Sequence, residues 1–145
     1  MKIEHIGIAV KDLGISDDLF SRLLGEEHYK QESVEREAVT TSFYKVGESK
    51  IELVAASNEA STISKFIEKR GEGIHHLAFG VEDIHAEIAR LKEAGFQFIS
   101  EEPKDGADNK VVFFCIQNLQ MEFWWNFAKK KCKKNFEKSK ISLEI

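Results

Sequence analysis

Alternation with a period of two opens the chain. Over His5–Leu13 (HIGIAVKDL), Ile6, Ile8 and Val10 form an apolar face, while His5, Gly7 and Ala9 point the other way, the pattern of a strand whose two sides differ. The same pattern returns at His76–Ile84 (HLAFGVEDI), where Leu77, Phe79 and Val81 oppose His76, Ala78 and Gly80. Each strand sets one histidine on a face otherwise made of small residues, as a strand lining a cavity would. Between these strands the period changes. Ile15–Leu24 predicts a helix with Leu19, Phe20, Leu23 and Leu24 on one stripe, Ser16, Asp17 and Asp18 supplying the cap and N-terminal acidity, and Gly25 ending it. Polar Glu26–Glu35 predicts a short strand or loop, β-forming Ala38–Val46 a strand, and Gly47-Glu48 a turn into a hairpin partner over Lys50–Ala55.

The order recurs. A linking helix is expected within Asn58–Arg70, closed by Gly71 and Gly73; then come a strand at His75–Val81, a helix at Ile84–Ala94, a strand near Phe96–Ser100, a loop holding Pro103, and a hairpin from Asn109–Gln117 and Leu119–Trp125. Each half is therefore βαβββ, and the chain is an internal duplication. The expected organisation is a first module over about residues 1–57, a linker helix over about 58–72, a second module over about 73–126, and a lysine-rich extension over 127–145. The duplication selects chemistry as well. Glu52 in IELVAA and Glu122 in MEFWWN occupy equivalent places, 47 positions after His5 and 46 after His76. A carboxylate interrupting an apolar run is costly unless it is paired or bound to metal. A pseudo-twofold axis would bring His5, Glu52, His76 and Glu122 together as four N and O donors, a divalent-metal set that suits cobalt, nickel, manganese or zinc. His75 must point to the face opposite His76, a place for packing or for supporting a ligand, and His28 and His85 lack counterparts and are expected at the surface.

These residues carry a resemblance to the vicinal oxygen chelate (glyoxalase/bleomycin resistance/dioxygenase) superfamily, and within it the chain is most similar to methylmalonyl-CoA epimerases. It runs from about Lys2 to about Asn126, and the stretches SKFIEKRGEGIHHLAFGVEDI (Ser64–Ile84) and SEEPKDGA (Ser100–Ala107) are its most specific part. The resemblance implies an α+β fold of two paired βαβββ modules forming a concave metal-binding sheet, with His5, Glu52, His76 and Glu122 as ligands. It implies an isomerase interconverting (R)- and (S)-methylmalonyl-CoA through a metal-stabilised enolate, with Glu122 also moving a proton. Some epimerases similar to this chain offer a glutamate on the third strand of the first module; Thr41 stands at that register here, and Glu37, a few residues away, is the candidate substitute. A CoA substrate would need basic partners for its phosphates, and Lys65, Lys69 and Arg70 are the best placed by sequence. The alternatives are a glyoxalase I (lactoylglutathione lyase)-like enzyme, which uses the same kind of donors, and a non-catalytic drug-sequestering protein, which needs none.

Composition narrows the setting. With 42% hydrophobic and 32% charged residues the 145-residue chain is long enough to bury a core and too apolar for disorder. No apolar run approaches the ~20 residues of a membrane helix, and the N-terminus enters a strand at once, without the pattern of a signal peptide, so a cytoplasmic protein is expected. Net charge is −4 although the last twenty residues hold seven lysines against Glu137 and Glu144; the acidic body argues against nucleic acid. Cys115 and Cys132 form no disulfide or zinc pattern. A small-molecule acyl-CoA partner and a homodimer complete the expectation.

Overall fold

The structure is a computed structural model of the chain and describes residues 1–99, 102–105, 107–108, 110–116 and 124–130. Two compact units divide it, Ile6–His75 in one and Met1–His5 with His76–Ile145 in the other. The divisions fall inside the two strands that open the repeats, β1 (Lys2–Val10) and β5 (Gly73–Gly80).

In the Ile6–His75 unit, β1 is followed by α1 (Leu13–Leu24), β2 (Lys30–Val34), a 3-10 turn at Glu35–Glu37, β3 (Val39–Val46) and β4 (Ser49–Ala56), and then by α2 (Thr62–Arg70). The strand order is β2-β3-β4-β1, with β2, β3 and β4 antiparallel. Register fixes the faces. Phe43 stands opposite Glu52, and Thr41 opposite both Val54 and Glu32, so these residues share one side. That side meets α2, where Val39 and Val54 pack with Ala9 and Ile63. The other side, with Tyr44, Leu53 and Ala55, packs with Val10 and receives Leu13, Phe20 and Leu24 of α1.

The first helix differs from expectation in two respects. Its cap is Asp12, whose side chain accepts from the Ile15 amide at 2.9 Å, rather than Ser16. Its inward stripe is Leu13, Asp17, Phe20 and Leu24, at i, i+4, i+7 and i+11, while Leu19 and Leu23 face solvent. Asp17 is not terminal acidity at all. It lies buried against β3, with Oδ1 accepting from the Tyr44 hydroxyl at 2.8 Å and Oδ2 from the Ser42 hydroxyl at 2.8 Å and Gln31 Nε2 at 3.3 Å. A buried carboxylate tolerates this place because its oxygens are met by donors. His28, expected at the surface, is half-buried beside Tyr44, their ring centroids 6.0 Å apart. Gly25 does end the helix, at φ 73°, a left-handed conformation that glycine adopts at no steric cost.

In the second unit the same succession appears: β5, α3 (Ile84–Glu93), β6 (Gln97–Phe98), β7 (Lys104–Asp105), β8 (Lys110–Ile116) and β9 (Trp124–Lys130). The order is β1-β5-β9-β8-β6, with β7 on β8; β5 and β9 run parallel and β8 and β9 antiparallel, so the sheet is mixed. Asp83 caps α3 through the amides of His85 and Ala86. Ile84, Ile88 and Leu91 then pack with Val81 and Phe113. The last strand runs further than its composition suggests, through Phe127 to Lys130, because both β5 and β8 offer its backbone hydrogen bonds. The architecture is thus α+β with two βαβββ-like repeats in a mixed sheet. No helix among the described residues is long and apolar enough to cross a membrane.

Candidate metal centre

His5 and His76 each stand fourth in their strands, β1 and β5, and so project from equivalent positions. Their Nε2 atoms are 2.8 Å apart, and the rings meet edge to face with centroids 5.0 Å apart. The second nitrogen of His5 is also committed. Its Nδ1 lies 2.7 Å from Glu4 Oε2, and the other Glu4 oxygen accepts from the Lys110 ammonium. All four side chains are buried, none more than 6% exposed. Burial pushes the Glu4 carboxyl up, but the hydrogen bond to His5 and the Lys110 ammonium outweigh it and hold the group well below the usual carboxylate range. Glu4 is therefore an anion, and an anion against Nδ1 selects the tautomer with its proton on Nδ1 and its lone pair on Nε2.

Glu52, on β4, is buried on the same side of the sheet as Thr41 and Phe43. Among the described residues one set of three, His5, Glu52 and His76, could coordinate a divalent metal ion. The donor chemistry fits a divalent cation. Two imidazole nitrogens and a carboxylate oxygen are the ligand set of many such sites, and two nitrogens bound to one ion stand roughly 3.0–3.4 Å apart for bonds of about 2.1 Å. The 2.8 Å pair needs to open by only a few tenths of an ångström.

A model of the Glyoxalase/Bleomycin resistance protein/Dioxygenase superfamily matches residues 4–114. The chain belongs to this superfamily. It is 40% identical over 115 residues to the ethylmalonyl-CoA/methylmalonyl-CoA epimerase of Cereibacter sphaeroides, covering 78% of this chain and 86% of that one. The crystal structure of a hypothetical protein from Bacillus halodurans superposes with a TM-score of 0.85 at 38% identity, over 93% of this chain and 98% of the other. The methylmalonyl-CoA epimerase of Mycobacterium tuberculosis does so with a TM-score of 0.75 at 31% identity, over 79% and 78%. Superfamily membership, likeness to the epimerase structures and the His/His/Glu cluster together describe a metal-dependent type of enzyme.

The other site residues expected from the sequence have definite places. Glu122 lies outside the described residues. Glu37 is exposed in the 3-10 turn, its carboxylate 3.4 Å from Arg36 Nε. Lys65, Lys69 and Arg70 are exposed on α2, the two lysines one turn apart. His75 turns away from His76 and packs edge-on against Phe66, centroids 4.8 Å apart. Two features escaped the sequence reading. Glu4 and Lys110 support His5, and their signal was a charge on the apolar face of β1 and another heading the apolar run of β8. Thr41 is only 1% exposed, and its hydroxyl has no hydrogen-bond partner among the described residues; a threonine in a strand gives no sequence sign of that.

Proposed function

We propose that the protein is a metal-dependent isomerase that interconverts (R)- and (S)-methylmalonyl-CoA. The observation that carries this reading is the buried His5–His76 pair, with Nε2 atoms 2.8 Å apart, in a chain whose similar relatives include acyl-CoA epimerases. Inversion at a carbon between a thioester and a carboxylate needs a proton taken from one face and returned to the other, so two proton-transfer groups must flank that carbon. A divalent ion held by His5, Glu52 and His76 would supply Lewis-acid stabilisation of the negative charge that develops as the proton leaves. His5 keeps its Nδ1 proton on Glu4 and so offers Nε2 as a donor atom. We assign Glu122 as a fourth ligand and as one proton-transfer group, with Glu37 as the candidate for the other. Thr41 cannot take up a proton at neutral pH; its hydroxyl, without a partner among the described residues, suits a hydrogen bond to a substrate oxygen. Lys65, Lys69 and Arg70 are assigned to the CoA phosphates, and the enzyme to the cytoplasm as a homodimer.

Hydrogen exchange in heavy water tests the reaction. Metal-loaded protein should place deuterium at the carbon between the two carbonyls of methylmalonyl-CoA and leave the methylglyoxal–glutathione adduct untouched. Conversion of the adduct to lactoylglutathione without exchange into methylmalonyl-CoA would replace the isomerase with a glyoxalase. Exchange into neither substrate by metal-loaded protein would overturn the proposal.

A further inference from the structure

We propose that Glu4, clamped by Lys110, is the positioning residue that orients His5 for metal binding. The inference rests on the metal-dependent reading above, but not on the identity of the substrate. Glu4 neighbours His5 on β1, where successive side chains leave on opposite faces, yet its carboxylate turns back to Nδ1 at 2.7 Å. Its stem lies along β5, where a Cβ added at Gly80 would sit 3.7 Å from the Glu4 Cβ and Cγ. A carboxylate with a single tether can rotate about its last bond. Lys110 removes that freedom by binding the other oxygen, 106 positions away in sequence. With both oxygens engaged, Oε2 is aimed at Nδ1 and the imidazole plane is set, so Nε2 points at Nε2 of His76.

Burying two charges costs several kcal/mol each, and their mutual attraction seldom returns more than that. A pair of well-packed apolar residues would hold the end of β1 as well, so stability alone gives no reason for this arrangement. Orientation of a metal-ligating histidine does, because the carboxylate that fixes its ring contributes to metal affinity.

The test compares wild type with Glu4→Gln and with the double variant Glu4→Gln/Lys110→Met, which removes both buried charges and leaves neither unpaired. Metal affinity is measured by competition with a chromogenic chelator, and the His5 tautomer in metal-free protein by 15N NMR of the ring nitrogens. The double variant should fold, bind the divalent ion about tenfold to hundredfold more weakly, and show His5 as a mixture of tautomers instead of one with its proton on Nδ1. Glu4→Gln alone should shift both readouts in the same direction. A double variant that binds metal within about twofold of wild type, with an unchanged His5 signature, would overturn the positioning role. The two readings fail separately: metal binding that depends on Glu4 without exchange into methylmalonyl-CoA removes the substrate and leaves the positioning, whereas a wild type that binds no ion removes the metal centre itself.

Discussion

At the scale of single residues, the two glutamates of the repeat offer a test of the proposed division between ligand and base. Glutamine keeps the size and one oxygen donor of glutamate but cannot take a proton at neutral pH. Glu122→Gln should therefore retain much of the metal and lose roughly 10²–10⁴ in rate, the usual worth of a positioned general base. Glu52→Gln removes ligand charge alone and should lose less at saturating metal; equal losses in fully metallated variants, measured by deuterium exchange, would leave Glu122 without a special role. Thr41 makes the opposite kind of case, a polar atom that costs stability where it stands. An unsatisfied buried hydroxyl costs about 1–3 kcal/mol, and valine fills nearly the same shape without it. Thr41→Val should raise the unfolding free energy by about 1 kcal/mol in urea titration while raising KM for the acyl-CoA. A residue kept at a cost to the fold is expected where substrate supplies the missing partner.

At the scale of elements, the duplication repeats a helix start as well as a ligand. Asp12 and Asp83 stand at equivalent positions, seven after each histidine, and each caps the helix that follows. Asp12→Ala and Asp83→Ala should each cost about 1 kcal/mol, close to additively because they serve different helices, with metal affinity unchanged. The docking of α1 on β3 predicts a pH dependence. Burial, together with the neighbouring Asp17 carboxylate, pushes the Tyr44 hydroxyl from its ordinary 10.0 up to about 12. The native state holds this proton more tightly than the unfolded chain, so the contribution is complete below pH 10 and lost as the pH rises from 10 to about 12. Tyr44→Phe should be less stable at neutral pH, because Asp17 loses a donor, and its stability should fall less steeply over that interval in urea titrations.

At the scale of the whole molecule, the proposed ligands come from strands widely separated along the chain, and an unfolded chain cannot present them as a set. A divalent ion should therefore stabilise the native state by mass action, by about 2.7 kcal/mol when its free concentration is a hundred times Kd. For a chain of this size that corresponds to a rise in Tm of roughly 5–10 °C. Scanning calorimetry of chelator-stripped and metal-loaded protein measures it, and a His5→Ala/His76→Ala variant should show no such shift. An equal rise in that variant would place the bound ion elsewhere.

Period and repetition are properties of the chain that no distant contact alters, so the two βαβββ copies, the strands that open them and the pairing of His5 with His76 could be read from the residues alone. Of the four expected ligands, His5, Glu52 and His76 were legible because a histidine among small residues and a glutamate within an apolar run mark themselves locally, whereas Glu122 lies outside the described residues. What each polar group meets was set by long-range contacts. Glu4 finds Lys110 from the far end of the chain, Asp17 becomes the buried hub of α1 because Ser42, Tyr44 and Gln31 converge on it, and Thr41 finds no partner among the described residues. Alternation tells which way a side chain leaves its strand. Whether a partner waits there depends on residues brought together by the folding of the whole chain, and so does the free energy of burying it.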